Sequence, residues 1–160
     1  MVKSFLLLSF MVIGYGAHAQ NPNSILDHYI NVKNALVIGN GHSASAHIES
    51  LYNTVKQEEN FPQKSELLKS SEKLLKAGDN LDKQRAAFND VSTAMWDLVK
   101  DSDKVHEVVY YQFCPMKKAY WLSYEQDIKN PFYGSSMLTC GKVVDIKEKD
   151  KKPQGTVKAN

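Results

Sequence analysis

Apolar residues recur three and four positions apart through the first half of this chain, and give way to β-branched and aromatic runs after residue 101. Ile25, Tyr29, Val32, Leu36 and Val37 mark one helical face, with Ser24 as the expected N-cap and Gly39-Asn40-Gly41 as the stop. Ala44, Ile48, Leu51, Tyr52 and Val55 mark a second, and the polar QEENFPQK after it reads as a loop. Leu67, Leu68, Leu74, Leu75 and Ala77 give a shorter third helix, ended by Gly78. A fourth carries Leu81, Phe88, Val91, Met95 and Leu98, with Asp79 or Asn80 to cap it. Beyond it VHEVVYYQF, WLS and KVVDI read as strands or extended segments, with the turn-rich NPFYG between the last two. The pattern predicts a mainly α protein: an up-down four-helix bundle with an irregular, aromatic C-terminal cap containing short strands.

The first twenty residues do not belong to that pattern. Lys3 precedes an apolar run from Phe5 to Ile13, and Ala17-His18-Ala19 supplies a small-x-small cleavage site. The run is short of the ~20 apolar residues a membrane span needs. Residues 1–19 are therefore expected to be a signal peptide cleaved after Ala19, making the protein periplasmic or secreted, with no membrane span. Residues 20–146 form the expected single domain and 147–160, lysine-rich with Pro153 and Gly155, a solvated tail. Without Lys3 the chain keeps 19 basic against 18 acidic side chains, and no clustered basic face suggests nucleic acid as a partner.

Sulfur is distributed unevenly. Both cysteines and two of the five methionines fall in two short runs, Cys114 and Met116 in FCPM and Met137 and Cys140 in SSMLTCG. Two thiolates and two thioethers are a donor set for a soft ion, Cu(I) or Ag(I), and do not make a structural zinc pattern. If the segment around Pro115 is extended, Cys114 and Met116 point to one side about 7 Å apart. One helical turn would set Met137 and Cys140 on a common face. The competing reading is a plain disulfide between Cys114 and Cys140, which an oxidising compartment favours and which would stabilise the chain by ~3.5 kcal/mol. Methionine packing against Trp121, Phe132 and Tyr133 would account for the thioethers in that case. The two readings stay open at this level.

Other candidates are weaker. His106 stands eight residues before Cys114, ~26 Å away along a straight strand. His47 falls on the inner face of the second helix, and His28 and His42 look like surface or capping residues, so no histidine is assigned as a ligand. Trp121 and Tyr133 either shield an ion or anchor the cap to the bundle. Arg85, on an otherwise apolar face, is expected to hold Asp90, Asp97 or a cap carbonyl. No nucleophile–histidine signature, haem-attachment motif or paired Glu-x-x-His helix is present, which gives no expectation of an enzyme.

The motif series FCPM, YWLS, IKNPFYG and SSMLTCG, with RAAFNDVS and YINVKNALV before it, resembles a bacterial exported family of unknown function. That family carries CPM, WLS, NPYYG and ML-CG near the C-terminus of a small helical domain. The chain departs from it in placing only four residues between Met116 and Trp121. Members are also found fused to periplasmic adaptor subunits of copper/silver efflux pumps. The resemblance implies an exported soft-metal accessory protein linked to heavy-metal efflux or tolerance, with an efflux adaptor or other envelope protein as partner. The alternative is a non-metal interaction module stapled by Cys114–Cys140.

Overall fold

In the computed structural model the described residues are 21–149. The expected signal peptide, and all of the expected tail beyond Lys149, lie outside them. Four helices come first: α1 (Pro22–Ile38), α2 (Gly41–Gln57), α3 (Lys64–Leu75) and α4 (Leu81–Val99). Three strands follow, β1 (Val109–Cys114), β2 (Ala119–Ser123) and β3 (Lys142–Lys147), with a 3-10 turn at Gly134–Met137 before the last. The protein is mainly α with an antiparallel sheet at its C-terminal end. The expected tail overlaps β3 at Lys147, the strand's last residue.

Local chemistry explains the helix limits. The Asn21 side chain accepts the Ser24 N–H, and Pro22 fills the first turn, where its missing N–H costs nothing. Ser24 is thus the capped residue and not the cap. Asn40 does the same for α2 by accepting the Ser43 N–H, so the segment expected only to stop α1 also starts its neighbour. Asn80, of the two candidates, caps α4 through the Lys83 N–H. Gly39 ends α1 in the left-handed conformation at φ 82°.

Each helix packs on the next, and α4 also meets α1 and α2. Ile25, Leu36, Leu51, Leu67, Phe88 and Met95 are among the side chains closed off from water in the core. Burying an aliphatic or aromatic side chain of this size contributes about 1.5–3 kcal/mol. Tyr29 and Phe88 stack at 5.1 Å across α1 and α4.

The sheet order is β2-β1-β3. Its β2 edge is fastened to the helices. The Leu122 N–H donates to the Tyr29 hydroxyl at 3.0 Å, and that hydroxyl also bonds Ser92 Oγ at 2.7 Å. The Tyr120 N–H donates to Asn89 Oδ1 at 2.8 Å. Trp96 of α4 stacks on Tyr111 at 4.6 Å, and Tyr111 in turn on Tyr120 at 4.9 Å. The cap is therefore an ordered sheet, held by hydrogen bonds and rings that the helices supply. Among the described residues β3, by contrast, pairs with β1 alone, and a bulge beside Tyr111/Gln112 interrupts the ladder.

Candidate functional site

Register places the sulfur residues. In β1, Gln112 and Cys114 share one sheet face with Trp121 and Ala119, their partners in β2. The loop from Glu125 to Gly141 engages this face: Gln112 Nε2 donates to the carbonyls of Glu125 and Gln126 at 3.0 and 3.1 Å. Phe132 meets the Trp121 ring edge-on at 6.1 Å. Trp121 is fully buried and anchors the cap.

Asn130 organises the end of that loop. Its own N–H donates to the Leu138 carbonyl at 2.8 Å, its Nδ2 donates to the Cys140 carbonyl at 2.7 Å, and its Oδ1 accepts the Phe132 N–H at 2.8 Å. Two glycines let the loop lie close. A Cβ on Gly134, which sits at φ 54°, would come within 2.6 Å of Arg85 Nη2 and 2.9 Å of the Val37 carbonyl. A Cβ on Gly141 would stand 2.7 Å from the Trp121 ring and 3.1 Å from the Phe113 carbonyl. Arg85 donates from Nε to the Pro131 carbonyl and from Nη2 to the Leu36 carbonyl, each at 2.9 Å. Of its expected partners, the cap carbonyl is the one it takes. It clamps the NPFYG turn onto the end of α1.

The result is that Cys114, at the end of β1, and Cys140, just before β3, meet with their sulfurs 3.9 Å apart. Both thiols are free. Cys114 is completely buried, whereas Cys140 is half-buried. Burial and the neighbouring Cys114 sulfur push the Cys140 thiol above its usual range, and the Met116 backbone N–H, which bonds it, works the other way.

The methionines lie differently. Cys114 pairs with Ala119, so Pro115 to Lys118 form a tight turn, with Lys118 in the left-handed region at φ 52°. Cys114 and Met116 are accordingly not an extended pair: one side chain is buried and the other is 65% exposed. The proline that suggested extension instead opens the turn. Met137 closes the 3-10 turn, 37% exposed, and its carbonyl accepts the Cys140 N–H at 3.1 Å. Next to the turn, Lys117 Nζ lies over the Tyr133 ring at 5.1 Å.

Chemically, a sulfur spacing of 3.9 Å fits two thiolates sharing one ion bonded at about 2.3 Å. It is also within reach of covalent closure. Among the described residues no group of three or more His, Cys, Asp and Glu side chains is gathered as a metal site. His42 is committed to Asp79 at 3.0 Å, His47 is half-buried, and the exposed His106 lines a surface cleft with Asn23, Asp27, Glu107 and Tyr124. Sequence reasoning passed over Asn130, whose Asn-Pro spelling signals only a turn, and over Gly141, which nothing in the sequence marks as a packing contact. Among the described residues, no helix is long and apolar enough to cross a membrane.

No curated protein and no solved structure matches the chain. A family model does match, over residues 25–107, which takes in the four helices and stops short of β1 and the sulfur residues. On that match, the chain belongs to the family described as Protein of unknown function (DUF3347).

Proposed function

We propose that this is an exported, periplasmic or secreted, accessory protein that takes up Cu(I) or Ag(I) and passes it to a heavy-metal efflux or tolerance partner. On this reading Cys114 and Cys140 are the anchoring ligands, with Met116 and Met137 as accessory thioethers at the surface. The four helices act as an up-down bundle that carries the sheet and its loop. The single observation that carries the proposal is the 3.9 Å approach of the two cysteine sulfurs, which lie 26 residues apart, one ending β1 and one leading into β3. Soft sulfur donors favour a monovalent soft ion, and zinc would call for three or four thiolate, imidazole or carboxylate ligands. Thioethers exposed beside a buried thiolate suit transfer, because a partner's sulfur can displace them one at a time.

The test is a Cu(I) competition titration of the reduced protein against a chromogenic chelator. One ion per chain is expected, with affinity lost in Cys114→Ser and Cys140→Ser and weakened in Met116→Leu and Met137→Leu. Reduced protein that leaves copper with the chelator would overturn the reading. A second reading rests on the same distance: covalent closure of Cys114 to Cys140 as a structural staple in a non-metal interaction module. A stable disulfide that resists mild reductant, in a protein indifferent to copper, would favour it.

A further inference from the structure

The two thiols differ in access, and that difference has a chemical consequence. Cys114 sits at 0% exposure at the inner end of β1, closed in by its pairing with Ala119 and by the loop that covers that sheet face. Cys140 is half-buried and follows Ser135–Thr139, a run of exposed residues. A dissolved disulfide can therefore approach Cys140 and not Cys114. Cys114 then waits with its sulfur 3.9 Å away.

We infer that the pair is an ordered thiol–disulfide exchange couple, in which Cys140 attacks and Cys114 resolves. Take oxidised glutathione as the oxidant. The Cys140 thiolate attacks one of its sulfurs, the glutathione S–S bond breaks, and one glutathione thiolate leaves. Cys140 now carries a mixed disulfide. Cys114 gives up its proton to solvent and attacks the Cys140 sulfur, expelling the second glutathione thiolate. Two protein thiols have become one disulfide, one glutathione disulfide has become two thiols, and the two protons released by the protein end on them. The closed form has no free thiolate, so the couple would release a soft ion on oxidation. That consequence rests on the function proposed above, while the exchange itself does not.

The experiment uses ion-free reduced protein, so that copper binding can stand or fall separately. The protein is mixed with oxidised glutathione, quenched at intervals with acid, and read by intact mass and peptide mapping. Wild type should show a transient adduct on Cys140 and end as an adduct-free disulfide. Cys114→Ser should accumulate a lasting glutathione adduct on Cys140, and Cys140→Ser should react at least roughly tenfold more slowly than Cys114→Ser. A first adduct on Cys114, a wild-type adduct that persists, or Cys140→Ser reacting as fast as Cys114→Ser would each overturn the order. The wild-type mapping needs no variant to fold and decides the question by itself.

Discussion

The two edges of the sheet are built in opposite ways. At β2 the helices reach in: Tyr29 and Asn89 accept the strand's N–H groups, and α1 and α4 both pack on it. At β3 the only strand partner among the described residues is β1, and Val144 and Ile146 are 43% and 39% exposed. Lys142, Asp145 and a bulge blunt this edge against chance pairing with another chain. The sulfur pair joins the two regimes, because Cys114 ends the central strand and Cys140 leads into the more exposed β3 edge. A fully buried thiol thus faces a half-buried one.

The contrast can be broken most severely at Trp121. Trp121→Ala removes the buried ring that Phe132 and Gly141 pack against and should cost about 3–5 kcal/mol in denaturant unfolding. Tyr29→Phe comes next. It leaves the stack on Phe88 intact but removes the acceptor of the Leu122 N–H, for an expected loss of about 1–3 kcal/mol. Gly141→Ala should fall in a similar range of about 1–3 kcal/mol, because the added methyl meets the Trp121 ring and the Phe113 carbonyl. It should also disturb the thiol pair, visible as slower disulfide closure. At the other edge Val144→Thr should change stability by no more than ~0.5 kcal/mol. Equal costs at both edges would remove the distinction.

A pH series sharpens the same picture. The Cys140 thiol is raised chiefly by burial, so its neutral form is favoured in the folded protein. The contribution is present below the unfolded thiol value of about 8.5 and is lost as pH climbs through the higher folded value. Exchange with a small disulfide should accordingly be slow at pH 7 and keep accelerating above the range where an ordinary thiol has levelled off. A rate that levels off by about pH 9.5, as an ordinary thiol of about 8.5 does, would show an unperturbed thiol.

Much of the helical half was legible because each helix writes its buried face at a fixed spacing: Ile25, Tyr29, Val32 and Leu36 are all fully buried, as are Phe88, Val91 and Met95. The strands were legible from their β-branched and aromatic content, but not their order. What escaped was whatever depends on backbone groups. Asn21 caps α1 from four residues before the first apolar position, and Arg85, for which a cap carbonyl is one of three expected partners, also binds the Leu36 carbonyl, which no residue pattern encodes. The turn at Pro115 escaped for a related reason. A proline favours an extended predecessor and a turn equally, and only the pairing of Cys114 with Ala119 decides between them. The meeting of the two cysteines needs β1, the Asn130 loop and Gly141 together, and the sequence names its members without giving their distance.

X-ray absorption at the copper edge, on reduced protein loaded with one equivalent of Cu(I), is the most direct test of the metal proposal. The account predicts a first shell made of sulfur at about 2.3 Å, two or three atoms per copper, with the signal lost when Cys114 and Cys140 are both replaced by serine. A nitrogen- and oxygen-only shell, or copper held unchanged by the double variant, would contradict it.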